Sequence, residues 1–356
     1  MIQSNRREVL QLLGGAVALP LAAGVVRGGA TKPRIKVGQI GVGHAHANKL
    51  QVFRESPDYE VVGIVEADES LRREAQTNET YQDLPWMTQE QLLNVPGLEL
   101  VLVETRVRDL LDAAEASVAA GKHIHLDKPA GSSLPQFRRI LEAAERQQLL
   151  VQMGYMYRYS PAIVMLRDFL QRGWLGEPFE VHAVMSKQVG MEKRASWNEQ
   201  PGGTMFELGC HLVDLVVGVM GKPDQVTAYP RRTIAGDGLQ DNMLAVFEYP
   251  KATATIKSTA LEVEGFDRRH LVVCGTEGTF HIQPLDRPQA RLALSQERGK
   301  YQKDYQDVTF PKYSRYVDDA ADIARVIRGE KSSEFSYAHD LTVQTAVLEA
   351  SAMSTD

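Results

Sequence analysis

Cysteine is nearly absent. Two thiols in 356 residues, Cys210 and Cys274, exclude a disulfide scaffold and a four-cysteine zinc site. An excess of basic charge is absent too. Forty Lys and Arg against 46 Asp and Glu leave a net charge of −6, whereas proteins that neutralise nucleic-acid phosphates are basic, so no nucleic-acid partner is expected. Long apolar runs are missing: residues 12–26 are weakly hydrophobic and too few for a membrane span, which needs about 20 residues. No stable membrane anchor is expected, and no internal repeat or low-complexity tract is seen. What remains is globular composition, 43% hydrophobic and 24% charged. The length suits two domains of roughly 100–200 residues.

The first thirty residues are set aside from the fold. Arg6-Arg7 precedes the apolar run, and small residues surround Gly28–Ala30, the pattern of a secretory signal. The paired arginines resemble a twin-arginine export signal, which implies a periplasmic or otherwise extracytoplasmic protein. The competing reading is an uncleaved amphipathic anchor.

Residues 34–40 alternate and are β-branched, as a strand should be, and run directly into Gly41-Val42-Gly43-His44-Ala45-His46. Glycines at the first two positions of G-x-G-x-x-G allow a tight turn and close approach of backbone to a pyrophosphate. His46 occupies the third glycine position, so its side chain is expected to point towards the diphosphate or solvent. A second strand, 59–65, ends in Glu66, placed to accept from a ribose 2′-hydroxyl and to repel a 2′-phosphate. The expected cofactor is therefore NAD in preference to NADP, with Gly41, Gly43, His44, Ala45, His46 and Glu66 contacting it. Residues 98–103 and 123–126 read as buried parallel strands, the latter delivering Asp127-Lys128-Pro129 to the carboxyl edge of the sheet. Further on, 180–186, 226–232, 244–249, 253–261, 270–275 and 279–284 read as strands separated by short turns, hence mostly antiparallel. Residues 316–327 and 341–352 read as helices that can pack back on the first domain.

Four segments occur in one order: the glycine turn, Ala120–Pro129 with its Asp-Lys-Pro, Gly154-Tyr155-x-x-Arg158-Tyr159-x-Pro161, and Gly202-Gly203-x-x-x-Glu207-x-Gly209-x-His211-x-x-Asp214. Together they resemble the Gfo/Idh/MocA oxidoreductases, the family of glucose–fructose oxidoreductase and inositol dehydrogenase. The resemblance implies an α/β protein: an N-terminal doubly wound Rossmann domain (34–153), then an α/β substrate and oligomerisation domain with a large, mostly antiparallel sheet (154–340), then a C-terminal helix (341–356). It also implies a homo-oligomer formed through that sheet.

Oxidising a carbinol requires a base for the hydroxyl proton and a cation for the developing alkoxide. The resemblance assigns Lys128 as catalytic. Glu207 and His211 are four apart, on one face of a helix, so Glu207 is expected to orient His211 as the base. Thr105 and Asp127 join the cofactor contacts; Tyr155, Arg158, Trp197 and Asp214 are expected to meet the substrate. Glu207 stands where the family usually has Asp, and Asp127 where it usually has Glu. Two questions stay open: whether Arg106 and Arg108 face an acidic ligand or solvent, and whether Cys210 and Cys274 pair. The pairs His44-x-His46 and His123-x-His125 have metal-like spacing, but no carboxylate cluster completes them, so no metal is expected. The substrate is expected to be a small carbohydrate. Export implies a tightly held cofactor, since no free pool exists outside the cytoplasm. The alternatives are NAD-dependent glycoside cleavage by transient oxidation and a non-catalytic dinucleotide-binding protein.

Overall fold

The computed structural model describes residues 32–198 and 201–356; the expected export signal lies outside them. Arg34–Asp356 forms one unit containing two sheets. The first is wholly parallel: β1 (Ile35–Ile40), β2 (Tyr59–Val65), β3 (Trp86–Met87), β4 (Leu98–Val103), β5 (His123–Leu126) and β6 (Val151–Met153), in the order β3-β2-β1-β4-β5-β6. Its crossovers carry α1 (Leu50–Glu55), α2 (Glu69–Ala75), α3 (Gln89–Leu93), α4 (Val107–Ala119) and α5 (Leu134–Arg146). Strand order reverses between β1 and β4, the point where open α/β sheets bind ligands at their carboxyl ends. Leu100 through Val103 are all fully buried, which is why that segment reads as an uninterrupted apolar run.

The second sheet has eight strands: β7 (Pro178–Val184), β8 (Gln225–Arg231), β9 (Asn242–Tyr249), β10 (Ala252–Thr259), β11 (His270–Gly275), β12 (Gly278–Ile282), β13 (Gln289–Leu294) and β14 (Asp304–Thr309). The order is β14-β13-β12-β11-β7-β10-β9-β8, and every pair is antiparallel except β7 with β10. The short turns between strands account for that antiparallel majority. One face carries Val181, Ala183, Ala245, Phe247, Ile256, Val273 and Phe280, all buried. These pack in one core with residues of α6 (Pro161–Gln171), of α8 (Cys210–Met220) and of α10 (Tyr337–Ala350). Between them in sequence lie α7 (Met191–Asn198) and α9 (Val317–Ile327).

The second-sheet core is continuous with one side of the first sheet. On its other side, a second cluster joins Leu50, Phe53, Tyr59 and Leu150 to Ala320, Ile323 and Ala324 of α9. Thus the penultimate helix returns to the Rossmann half, and Tyr59 Oη donates to the Ala320 carbonyl at 2.6 Å. The last helix begins at Tyr337, four residues before the expected start, and Gln344 ties it to the Lys128–Pro129 loop by accepting from Ala130 N and donating to Gly131 O.

Candidate active site

At the end of β1 the backbone turns at Gly41, whose φ is +92° and whose hypothetical Cβ would lie 2.4 Å from Thr105 N and Cα. Only glycine fits there. Glu66, at the end of β2, accepts from Val42 N–H and Asp68 N–H, both at 2.9 Å. A cleft of about 910 Å³ opens between these elements, lined by Gly41, Glu66, Asp68, Trp86, Thr105 and Arg106 among others. Arg106 does not stand free in it: its guanidinium pairs with Asp68 at 3.0 Å, while Arg108 lies 3.4 Å from the Asp109 carboxylate. Glycine without room for a Cβ, the acid at the end of β2 and a cleft at the strand-order reversal fit the adenosine half of a dinucleotide.

The rings of the two histidines of the turn engage the loop that follows β5. His44 Nε2 lies 3.0 Å from the Lys128 carbonyl oxygen and its Nδ1 3.1 Å from Asp127 Oδ2. His46 Nδ1 is 3.3 Å from Asp127 Oδ1. Ala45 is exposed. Asp127 is fully buried, and besides the imidazoles it accepts from its neighbour Lys128 N–H at 2.6 Å and from Lys49 Nζ at 2.6 Å. Lys49 also reaches Glu104 Oε1 at 3.0 Å. Burial, reinforced by Asp127, raises Glu104 well above the usual carboxylate range. Burial acts the same way on Asp127, but His44, Lys49 and His46 outweigh it and hold Asp127 well below that range. Asp127 is the charged member.

This corrects the expectation that no carboxylate completes the His44-x-His46 pair: Asp127 brings three ligand-type atoms within 4.8 Å of one another. A cation already sits on it, the Lys49 ammonium. Sequence patterning misses Lys49 and Glu104 because each lies in an ordinary helix start or strand end, and their meeting is set by the sheet.

Lys128 is 2% exposed, and its ammonium donates to the Glu207 carbonyl oxygen at 2.7 Å. Glu207 Oε1 lies 3.7 Å from the same nitrogen. Burial works against the charge, but Glu207 leads the groups that outweigh it, and the pKa of Lys128 rises. Lys128 is therefore a cation. Glu207 does not orient His211, which corrects the helix-spacing argument. Residues Met205–Gly209 form a π-helical turn, so the four-residue spacing loses its α-helical meaning, and the carboxylate goes to the buried cation that needs it.

His211 lies in the first turn of α8 with 2% exposure, and its Nδ1 is buried without a partner. Burial first, then Lys128, holds its pKa well below the usual range, so it is a neutral imidazole. Around it stand the rings of Tyr157 at 5.6 Å, His46 at 5.9 Å and Tyr155 at 6.0 Å between centroids. Tyr157 carries no motif signal of its own, although it shares the Gly154–Pro161 segment.

Arg158 and Asp214, expected at the substrate, are instead joined to each other. The guanidinium donates through Nε at 3.0 Å and Nη2 at 2.6 Å to Asp214 Oδ1, and through Nη2 at 2.6 Å to Asp340 on α10. Both residues are at least 97% buried, and a buried guanidinium must spend its donors on carboxylates. The group locks α8 and α10 together beneath Tyr155, whose ring lies 5.0 Å from the guanidinium carbon. Trp197 is buried on α7, with Lys187 Nζ 4.8 Å above its ring. Both cysteines are free: Cys210 is buried in the core, and Cys274 lies on β11.

The fold and the cleft define a two-domain dinucleotide-binding protein with a charged lysine just after β5 and a neutral histidine on α8. Residues 35–155 match the family described as "Oxidoreductase family, NAD-binding Rossmann fold", and 163–281 match the "GFO/IDH/MocA C-terminal domain". The chain belongs to the Gfo/Idh/MocA oxidoreductases. It is 26% identical to an uncharacterised oxidoreductase, YdgJ, of Escherichia coli, over 72% of this chain and 74% of that protein. It is 27% identical to the scyllo-inositol 2-dehydrogenase (NADP(+)) IolW of Bacillus subtilis, over 54% of each, so the match spans about half of that relative. A solved levoglucosan dehydrogenase, in complex with NADH and levoglucosan, shares the fold with a TM-score of 0.74 at 18% identity, over 90% of this chain and 98% of that one.

Proposed function

We propose that this protein is an exported, NAD-dependent oxidoreductase that oxidises a carbinol of a sugar, polyol or sugar derivative and keeps its cofactor bound. The observation that carries this reading is the approach of charged Lys128, just after β5, to neutral His211 of α8, next to the glycine turn whose His46 ring lies 5.9 Å from His211. The bound nicotinamide supplies the hydride acceptor. Lys128 offers its ammonium to the substrate oxygen as negative charge develops there, with Glu207 keeping the lysine charged. His211 accepts the hydroxyl proton. Asp127 and His44 hold the Lys128 backbone in place through Lys128 N–H and C=O. Glu66, at the end of β2 on the cleft, favours NAD over NADP, because a 2′-phosphate would meet its charge. The polyol named for the inositol dehydrogenase relative supports the substrate class.

A second reading, glycoside cleavage through transient oxidation, needs a further base for an acidified C–H. His46, oriented by Asp127 and pulled down to about 4 chiefly by burial, is a neutral imidazole available for that step. The expected outcome of assays is nicotinamide reduction with free sugars or polyols by wild type. Lys128→Ala and His211→Ala should each lower kcat by about 10²–10⁴-fold while retaining NAD, with losses far from additive in the double mutant. Glu207→Gln should act as a milder Lys128 variant. Protein that holds NAD but reduces it with no sugar, polyol or glycoside is a binding protein only.

Export rests on Arg6-Arg7 ahead of the apolar run. Replacing both with lysine should leave the precursor inside the cell, and unchanged export of that variant would reject the twin-arginine route.

A further inference from the structure

Lys187 is a half-buried lysine whose ammonium has no carboxylate within 4.0 Å among the described residues. It leaves the end of β7, its backbone N–H fixed on the Thr259 carbonyl at 3.1 Å, and its Nζ lies over the Trp197 ring. Its charged surroundings are mostly of its own sign. Burial first, then Lys193, Arg269 and Lys128, lower its pKa to about 8, with Glu207 opposing. Those same neighbours, Lys128 and Arg269, also act on His211, so the lysine and the base share one electrostatic environment.

The acids in this region are already committed. Glu207 is paired with Lys128. Asp286 is shared by Arg269, at 3.0 Å, and Arg315. Arg269 spends its Nε on the Ser186 carbonyl oxygen at 3.2 Å. Lys128 is balanced by Glu207 and Asp127, and Arg269 and Arg315 by Asp286, so among the described residues no carboxylate is left to pair with Lys187. A second polar group is close at hand: the Tyr157 hydroxyl is buried beside Arg269, on the ring that stands 5.6 Å from His211. A half-buried cation set among like charges is costly unless a ligand of opposite charge completes it.

We propose that Lys187, over the flat Trp197 ring, receives a carboxylate carried by the substrate, so that the protein acts on sugar acids, uronates or aldonates, in preference to neutral sugars. One unpaired ammonium matches a single negative charge, whereas phosphates favour the forked donors of arginine, and Arg269 is already engaged. The reading rests on the oxidoreductase function above. The oxidation leaves the carboxylate untouched: a carbinol C–H of the sugar acid gives its hydride to NAD⁺, the hydroxyl proton goes to His211, and a ketone forms.

The test is calorimetry on the full NAD-loaded protein, comparing glucuronate with glucose, galacturonate with galactose and gluconate with glucitol. Each preferred acid should bind about 10- to 100-fold tighter than its neutral partner, the range of a charge-assisted hydrogen bond, and the gap should narrow with added salt. Lys187→Met should bring the ratio close to one, and Lys187→Arg should restore most of it. Neutral sugars binding as tightly as their acids, no acid binding at all, or a preference that survives in Lys187→Met would overturn the proposal. Nicotinamide reduction is read separately. Selective acid binding that never leads to reduction would sink the oxidoreductase reading and leave the carboxylate subsite standing.

Discussion

At the residue scale, the protein buries far more ionisable groups than its core needs, and they are not equivalent. Asp127 is surrounded by donors and stays charged; Arg158 divides its donors between two carboxylates. Asp319 on α9 is the opposite case. It is 1% exposed, neither carboxylate oxygen has a side-chain partner among the described residues, and burial raises its pKa from 3.8 to about 7, against the pull of Lys49 and of its own backbone N–H and with a small push from Asp318. Its sign follows from proton counting. The unfolded chain releases this proton near pH 4, and the folded protein holds it to about pH 7. Between those limits the native state binds more protons, so this group's contribution to stability declines as pH rises, and its penalty is complete above the folded pKa. At about 1.4 kcal/mol per unit, the penalty is of order 2–4 kcal/mol. Asp319→Asn should therefore melt higher than wild type at pH 8 and show a flatter profile between pH 4 and 8. Thermal melts across that range check it. A variant whose slope matches that of wild type would show that Asp319 is not the group responsible.

At the element scale, the β1–turn–β2 unit carries the proposed preference for NAD. Glu66 holds the turn through Val42 N–H and presents charge to the cleft. Glu66→Ala should narrow the preference for NAD over NADP about 10-fold or more, read by calorimetry on stripped protein. Equal affinities in wild type would remove the premise. This unit is legible in the sequence because its signals are local: a β-branched strand, two glycines and an acid about 20 residues on. The strands 289–294 and 304–309 are not. β14 is a polar edge strand, exposed or half-exposed at every position, and such a strand has no apolar face to betray it. Residue spacing pairs Glu207 with His211 where the structure sets it beside Lys128, since a π-helical turn leaves no trace in spacing. The Arg158–Asp214–Asp340 lock joins positions far apart in sequence, and nothing in the composition of those segments predicts that Arg158 faces inward rather than towards the cleft.

At the scale of the whole molecule, helices among the described residues cover one face of the eight-stranded sheet. Following the register across it, one row runs Thr227, Val246, Thr255, His182, Val272, His281, Arg291 and Asp307, each on a different strand. None of the eight is buried, whereas the neighbouring residues Ala245, Phe247, Ile256, Val181, Val273 and Phe280 on the opposite face are. Branched and threonine side chains occupy the β8–β10 part and Val272, with Arg291 and Asp307 at the β13–β14 edge. In this row Val246 and Val272 are set among threonine and histidine, with charge at the β13–β14 edge alone, a mixed surface open to a partner. A two-fold axis through such a face pairs it with itself, so the fitting partner is a second copy of the protein, as the family resemblance also implies. The expected state is a dimer in solution by light scattering at micromolar concentration. Val246→Asp combined with Val272→Asp places two charges on each side of the contact and should weaken association by about 100-fold or more. Because both residues point away from the core that supports the cleft, NAD should still bind to the separated subunits. A wild-type protein that scatters as a monomer, or a double variant that remains dimeric, would mean that this face is not where the copies meet.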